Sequence, residues 1–229
     1  MTTLPFRTIA FDLDGTLADT APDIAAGINR MLAALGREAL PQDTIRDLVG
    51  HGARSLVQRV LAATGDAPAA LIDRGLLLYL DFYAQHVCVG TRPYPGVEQA
   101  LDDLAAAGGS LALCTNKVAG LTHALIDALG WQGKFSSVVG GDTLPTRKPD
   151  PAMLHEAIAR AGGGPAVYVG DSITDADTAR AAGVPFIAVS FGFSDRPIEE
   201  LGADLVIDAF ADLPAALRQL AERNAFSSR

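Results

Sequence analysis

Short, almost wholly apolar segments recur along the chain, and most of them end in a polar or glycine-rich cluster. These segments cover residues 8–11, 111–114, 138–139, 167–169, 186–189 and 205–207. Runs of this kind are typical of strands that are buried on both faces of a parallel sheet. Helical patterns separate the later runs, at residues 121–129, 152–161 and 175–182. The alternation predicts an α/β fold built on a doubly wound parallel sheet.

The interval between the first two predicted strands is too long for one crossover. A strand–helix–strand unit takes about 30 residues, whereas the first strand ends near residue 12 and the next begins near residue 111. The interval shows helical patterns at 23–35, 42–49, 53–64 and 69–86, and no convincing strand pattern. We therefore predict an all-helical cap domain at residues 18–89, inserted into an α/β core domain of residues 1–17 and 90–229. One merged domain with a long helical excursion is the alternative.

Acidic residues follow the first and fourth predicted strands. Asp12 and Asp14 lie in DLDGT, and Asp171 and Asp175 lie in GDSITD. Side chains two positions apart on an extended segment point the same way, and like charges about 4 Å apart repel by about 4 kcal/mol at an effective dielectric of about 20. Because ligands of such sheets bind beyond the carboxyl ends of the strands, the acids predict a site for a hard cation such as Mg²⁺. Each motif alone also fits a solvated turn or a helix N-cap.

Groups that suit a phosphate ester come from two further segments. Lys148, in TRKPDP, precedes a predicted helix, and a lysine is a common phosphate-binding point charge. Thr115 and Asn116 close the second predicted strand and offer hydroxyl and amide donors. A solvated lysine and a simple turn are the alternatives when each segment is taken alone. Together with the acids, these residues predict a site that binds and cleaves a phosphate ester.

Composition narrows the classes of partner. The 229 residues carry a net charge of −9, which disfavours nucleic acid and anionic membrane surfaces. No apolar stretch is long enough to span a bilayer, and no signal-peptide pattern opens the sequence. Cys88 and Cys114 form no metal-binding or disulfide pattern. We therefore expect a cytoplasmic enzyme, a monomer or homodimer, whose partner is a small-molecule phosphate ester.

At these motifs the chain resembles the haloacid dehalogenase (HAD) superfamily of phosphohydrolases. DLDGT, Thr115, Lys148 in KPDP, and GDSITD follow one another in the order of that superfamily's four motifs, and the resemblance covers nearly the whole chain. It implies a Rossmann-like, flavodoxin-like core. It also implies that a helical cap between the first two motifs belongs to the superfamily's first cap class.

The resemblance further implies a role for each motif residue. Asp12 attacks phosphorus and becomes an aspartyl-phosphate, and Asp14 acts as acid and then as base. Mg²⁺ is held by the Asp12 carboxylate, the Asp14 main-chain oxygen and Asp171, with Asp175 orienting the ligands. The phosphoryl oxygens are held by Thr115, Asn116 and Lys148. Asp12, Asp14, Thr115 and Lys148 form the expected catalytic set, with Thr16 and Asn116 binding substrate.

Within the superfamily the closest resemblance is to the phosphoglycolate phosphatases. It is carried by residues 11–32, by the segment LVGHGARSLVQRVL and by RPYPGV. It implies 2-phosphoglycolate or a similar small ester as substrate, and Arg54 is our candidate for binding its carboxylate. Sugar phosphomutases share the core motifs and are the alternative, although they use a cap lysine and residues 18–90 contain none. An inactive binding module on the same fold is a more distant alternative.

Overall fold

The computed structural model describes residues 4–194 and 196–227 and contains eight strands and nine α-helices in those ranges. The strands are β1 Thr8–Phe11, β2 Ala18–Asp19, β3 Arg92–Pro93, β4 Ser110–Cys114, β5 Ser137–Val139, β6 Ala166–Gly170, β7 Phe186–Val189 and β8 Leu205–Ile207. The helices are α1 Ala21–Ala34, α2 Gln42–Arg46, α3 Ala53–Ala63, α4 Ala69–Ala84, α5 Val97–Ala106, α6 Ala119–Ala128, α7 Ala152–Arg160, α8 Ile173–Ala182 and α9 Leu213–Ser227.

Six strands form one parallel sheet in the order β5-β4-β1-β6-β7-β8. Strand β1 lies between β4 and β6, and Ile9 is opposite Leu111 on one side and Val167 on the other. The four residues of β1 are all buried, as the apolar pattern predicts for a sheet covered on both faces. The predicted α/β fold is confirmed. Each predicted core strand lies within one or two residues of an observed one.

Alternate side chains of β1 enter two different hydrophobic layers. Ile9 and Phe11 belong to the cluster that includes side chains of α5, α6 and α9. Ala10 belongs to the other cluster, which includes side chains of α7 and α8. This two-layer covering leaves the carboxyl edge of the sheet as the place where polar loops meet.

The regular secondary structure between β2 and β3 consists of the four helices α1–α4. Helices α1, α3 and α4 pack against one another, and α2 packs on α1. Their apolar side chains are continuous with the core cluster around Ile9 and Phe11. The division into a cap at 18–89 and a core at 1–17 and 90–229 remains our proposal.

A short strand lies where the sequence predicted only helix. Ala18 pairs with Pro93, and Asp19 pairs with Arg92, in the antiparallel ribbon of β2 and β3. The expectation of no strand in residues 18–89 was therefore wrong at 18–19. Two residues are too few to show an alternating pattern, and their pairing partner lies more than 70 positions away. The ribbon joins the two chain segments that enter and leave the helical region.

Asp23, in the first turn of α1, binds the segment of residues 89–91 that leads out of the helical region. Its carboxylate accepts hydrogen bonds from the main-chain N–H groups of Val89, Gly90 and Thr91 at 2.7–3.0 Å. The side chain is buried, with 5% of the residue exposed. One carboxylate thus holds the last residues of the helical region against its first helix.

We expect Asp23→Ala to lower the free energy of unfolding by about 3 kcal/mol, because it leaves buried N–H groups without an acceptor. Urea unfolding measures this difference. Asp127→Ala, which removes an exposed carboxylate from α6, should change stability by less than about 0.5 kcal/mol. Equal effects of the two substitutions would contradict the structural role of Asp23.

Candidate active site

The polar residues predicted from the sequence lie at the carboxyl ends of three adjacent strands. Asp12 follows β1, Thr115 follows β4, and Asp171 follows β6. Strands β4, β1 and β6 are neighbours in the sheet. Residues separated by more than 100 positions in the sequence therefore meet at one edge.

Three buried carboxylates form the centre of this edge. Asp12, Asp171 and Asp175 each offer an oxygen, and these oxygens lie within 4.8 Å of one another. The three residues are at most 6% exposed. Carboxylates this close in a buried site strongly disfavour being charged together unless a cation lies among them.

Lys148 is the buried cation next to this cluster. Its Nζ donates hydrogen bonds to Asp175 Oδ1 at 2.7 Å and to Tyr168 Oη at 2.9 Å, and lies 3.0 Å from Asp12 Oδ1. Burial lowers the pKa of Lys148, but the charges of Asp12 and Asp175 outweigh burial and raise it above its ordinary value. The lysine is therefore charged.

Asp175 is held by protein groups on both of its oxygens. Oδ1 accepts from Lys148 and from Tyr168 Oη, and Oδ2 accepts from the hydroxyl and N–H of Ser172 in a capping box. Burial raises the pKa of Asp175, but Lys148 and these hydrogen bonds outweigh burial and lower it. An orienting role for Asp175 remains our proposal.

Asp171 is placed by a hydroxyl and a main-chain amide. Its Oδ1 accepts from Thr16 Oγ1 at 2.8 Å, and its Oδ2 accepts from the N–H of Phe193 at 2.6 Å. A Cβ at Gly15 or Gly192 would collide with the Asp171 side chain, so both positions need glycine. Burial, Asp175 and Asp12 raise the pKa of Asp171 well above its ordinary value.

Asp12 has the least satisfied carboxylate of the cluster. Its Oδ1 is buried and accepts no hydrogen bond from the described residues. Lys148 Nζ lies 3.0 Å away as an ion-pair partner, while it donates hydrogen bonds to Asp175 and Tyr168. Burial, with help from Asp175 and Asp14, raises the pKa of Asp12 to about 6. An orphaned carboxylate oxygen beside other acids fits a divalent cation, which takes oxygen ligands.

Asp14 points to a different set of partners. Its carboxylate accepts from Thr20 Oγ1 at 2.7 Å and from Lys117 Nζ at 2.8 Å. Lys117 also donates to Tyr83 Oη of α4 at 2.8 Å. Sequence reasoning treated Lys117 only as part of a polar cluster after β4. Its position, two residues after Thr115, was the one available signal.

A cavity of about 480 Å³ lies between this edge and the helical region. The core contributes Asp12, Asp14, Thr115 and Lys117 to its wall. The helical region contributes a mainly apolar wall, formed by Ile24, Val49, Gly50, Gly52, Ala53, Leu56, Tyr79 and Tyr83.

Two residues expected to bind substrate have protein partners instead. The Asn116 amide donates to the carbonyls of Gly50 and Lys148, and its oxygen accepts from the N–H of Lys148. The Thr16 hydroxyl donates to Asp171. Motif position placed both residues at this edge of the sheet but did not reveal which hydrogen-bond partners lie beside them. In this structure Asn116 joins two loops, and Thr16 orients a carboxylate.

Arg54 is not brought to the site. Its guanidinium pairs with Asp73 at 2.7 Å, and the side chains of Arg54 and Asp73 are 49% and 60% exposed. The direction in which this side chain leaves α3 takes it away from the cavity, and Asp73 of α4 holds it there. The beginning of α3, at Gly52 and Ala53, does line the cavity.

With metal removed, we expect Asp171→Asn to stabilise the protein by about 1–3 kcal/mol, because it removes one charge from the buried cluster. Thr16 and Phe193 can still hydrogen-bond the amide. The same variant should lose the stabilisation that a divalent metal gives the wild type. Urea unfolding with and without metal measures both effects. Asp177→Asn changes a partly exposed acid paired with Arg180, and it should show neither the stabilisation nor the loss of metal binding. If Asp171→Asn destabilised the metal-free protein, the three carboxylates would not be repelling one another as we infer.

The pKa of Asp12 predicts a pH effect on stability in the absence of metal. The pKa rises on folding from 3.8 to about 6. The stability that protonation of Asp12 gives the folded protein is therefore complete at low pH and is lost as the pH rises through about 6. We expect the stability advantage of Asp12→Asn over wild type to grow by about 1–2 kcal/mol between about pH 5 and pH 7.5. Urea unfolding in chelator measures it. An advantage that stays constant or shrinks would rule out the raised pKa.

Comparison with known proteins confirms the family expected from the motifs. A profile described as haloacid dehalogenase-like hydrolase matches residues 9–189, from β1 to the end of β7. The phosphoglycolate phosphatase of Caulobacter vibrioides is 45% identical over 216 residues, covering 91% of this chain and 90% of its own. That of Mesorhizobium japonicum is 46% identical over 218 residues, covering 94% and 95%.

The fold is also similar to a solved structure. The crystal structure of a predicted phosphoglycolate phosphatase from Haemophilus somnus 129PT matches with a TM-score of 0.87 and 30% identity, over 93% of this chain and 98% of that one. No helix in residues 4–194 or 196–227 has the length and hydrophobicity needed to cross a membrane. The profile, the relatives and the carboxylate-lined sheet edge agree, and the chain belongs to the haloacid dehalogenase-like hydrolases.

Proposed function

We propose that this chain is a Mg²⁺-dependent phosphatase that hydrolyses 2-phosphoglycolate to glycolate and phosphate. The observation that carries the proposal is the Asp12 carboxylate, whose buried Oδ1 has no hydrogen-bond donor among the described residues and lies 3.0 Å from Lys148. A carboxylate in this state suits attack on a phosphoryl group whose charge is neutralised nearby. The family and the names of the relatives support the same reaction.

Asp12 is the nucleophile in this proposal. Its carboxylate oxygen forms a bond to phosphorus while the bond from phosphorus to the leaving oxygen breaks. The product is an aspartyl-phosphate, which water then hydrolyses and so restores Asp12. The covalent route divides one difficult displacement into two easier ones.

Asp14 moves the protons. It protonates the leaving alcohol in the first step and takes a proton from the attacking water in the second. Its carboxylate lines the same cavity as Asp12. Thr20 and Lys117 hold it by hydrogen bonds of 2.7 and 2.8 Å.

Lys148 and Thr115 hold the phosphoryl group. Lys148 is buried and charged beside Asp12, where it offsets the charge of the phosphoryl oxygens. The Thr115 oxygen accepts a hydrogen bond from the Lys117 N–H, which leaves its hydroxyl proton available for a phosphoryl oxygen. Asp171 and Asp12 are the carboxylates that would hold the metal.

Bound Mg²⁺ supplies positive charge to the phosphoryl oxygens and to the two acids. The cluster offers oxygen atoms alone, which suits Mg²⁺ better than a metal that prefers nitrogen or sulfur. The remaining charge of the cluster is offset by Lys148.

A small substrate suits the cavity. The helical region closes one side with apolar residues, and the beginning of α3 presents main-chain N–H groups at Gly52 and Ala53. A helix N-terminus favours an anion such as a carboxylate. Because Arg54 is paired with Asp73, this terminus replaces it as our candidate for the second anionic group. The cytoplasm, and a monomer or homodimer, remain expectations from sequence alone.

The phosphomutase alternative receives less support. A mutase of this family is expected to use histidine and lysine of the cap, and residues 18–90 contain no lysine. His51 lies 3.3 Å from Thr174 of α8, and His86 lies 3.2 Å from the carbonyl of Phe82. Neither histidine lines the cavity.

Phosphate release from 2-phosphoglycolate, glucose 1-phosphate and glucose 6-phosphate, with and without Mg²⁺, tests the proposal. We expect Mg²⁺-dependent release, with kcat/KM for 2-phosphoglycolate at least ~10-fold above either sugar phosphate. Asp12→Asn should lower turnover by about 10³-fold or more, because the nucleophile is lost. Asp177→Asn changes a partly exposed acid that does not line the cavity, and it should leave turnover unchanged.

Other outcomes of the same assay would replace the proposal. Conversion of glucose 1-phosphate to glucose 6-phosphate without phosphate release would identify a mutase. Normal turnover by Asp12→Asn would exclude the nucleophile. Absence of turnover on all substrates would favour a binding module.

A further inference from the structure

Lys117 connects the acid Asp14 in the core to helix α4. Its Nζ donates to Asp14 Oδ1 at 2.8 Å and lies 3.1 Å from Asp14 Oδ2. It also donates to Tyr83 Oη at 2.8 Å. The Lys117 side chain is 4% exposed, and Tyr83 is 1% exposed. A buried lysine therefore bridges the two walls of the cavity.

These partners account for the hydrogen-bonding capacity of the ammonium group. An ammonium has three protons and no acceptor, and three oxygens from Asp14 and Tyr83 surround it. The ammonium also lies 4.6 Å from the centroid of the Tyr83 ring, a favourable cation–π contact. Tyr79 stacks on that ring at 5.5 Å and limits its movement. Lys117 is thus fixed by α4 as well as by the core.

Asp14 depends on this bridge for its position. Its side chain has two sets of partners in the structure, Thr20 at the beginning of α1 and Lys117. If α4 moved away, Lys117 would lose the Tyr83 hydroxyl and ring. The bonds from Lys117 and Thr20 to Asp14 would remain, but the ammonium group would no longer be fixed by α4, and the position of the carboxylate would be less restricted.

We propose that Lys117 and Tyr83 are positioning residues that hold Asp14 against the leaving-group oxygen only while α4 closes the cavity. The proposal rests on the proposed function, in which Asp14 protonates the leaving alcohol. In that step the proton of Asp14 passes to the leaving oxygen as its bond to phosphorus breaks and the bond from Asp12 to phosphorus forms. Helix α4 thereby controls protonation without contributing an acid or a base.

The need for a proton differs between leaving groups, and this difference provides the test. An alkoxide is a poor leaving group and needs the proton, whereas p-nitrophenolate leaves without one. For 2-phosphoglycolate and 2-hydroxyethyl phosphate, kcat/KM reports the step in which the alkoxide leaves. We expect Lys117→Met to lower it by at least ~10-fold and Tyr83→Phe by at least ~3-fold. Both variants should change kcat/KM for p-nitrophenyl phosphate by less than ~2-fold, because kcat/KM does not include the later hydrolysis of the aspartyl-phosphate, in which Asp14 acts as base for every ester. Lys117→Arg should recover part of the loss.

Two other patterns of loss would overturn the proposal. Equal loss on all three substrates would mean that the residues support the fold in general. Loss confined to 2-phosphoglycolate would mean that Lys117 binds the substrate carboxylate, because 2-hydroxyethyl phosphate lacks that group. Wild-type protein that cleaves none of the three esters would refute the proposed function itself, which is a separate result.

Controls and a structural readout complete the experiment. Lys134→Met removes a surface lysine that pairs with Asp102, and Tyr94→Phe removes a buried hydroxyl that has no hydrogen-bond partner in the described residues. Both should keep wild-type kcat on all three esters. Crystal structures of metal-free Tyr83→Phe and Lys117→Met should show the Asp14 carboxylate displaced. An unmoved Asp14 in both variants would overturn the proposal whatever the kinetics.

Discussion

Too little positive charge lies among the buried carboxylates at the carboxyl edge of the sheet. Asp12, Asp171 and Asp175 meet there, and Lys148 is the buried cation beside them. Because Lys148 donates to Asp175 and Tyr168, the shortage falls on Asp12 and Asp171, whose pKa values are raised. Buried charges without partners destabilise a fold. The same shortage fits the edge to a divalent cation, and we propose that a phosphoryl group binds with it.

The helical region is tied to this edge by groups that also hold the reacting residues. The Asn116 side chain joins the carbonyl of Gly50 to the main chain of Lys148. Arg46 of α2 donates to the carbonyl of Gly192. The N–H of the next residue, Phe193, donates to the Asp171 carboxylate. Lys117 supplies a third link, to α4. The same contacts therefore hold the helical region and the polar residues of the edge in place, which suits a reaction that depends mainly on positioning.

The sequence predicted the sheet well because each core strand is short, apolar and buried on both faces. It also predicted that the polar clusters meet at one edge of the sheet, since they follow neighbouring strands. It could not assign partners. Asn116 and Thr16 lie where expected, but contacts with distant residues use their hydrogen-bonding groups. Arg54 was placed by its nearness to a helix start, while the direction of its side chain depends on how α3 packs. Lys117 was missed because its importance arises from a contact between residues 14, 83 and 117.

The proposed function requires that the Asp12 carboxylate, whose Oδ1 accepts no hydrogen bond from the described residues, becomes phosphorylated during turnover. An acyl phosphate is reduced by borohydride, which converts the modified aspartate to homoserine. Borohydride should be added during steady-state hydrolysis of 2-phosphoglycolate, and the digested protein should be examined by mass spectrometry. We expect homoserine at position 12, and we expect it to form only when both substrate and Mg²⁺ are present. Reduction at another acid, or rapid turnover with an unmodified Asp12 peptide, would contradict it.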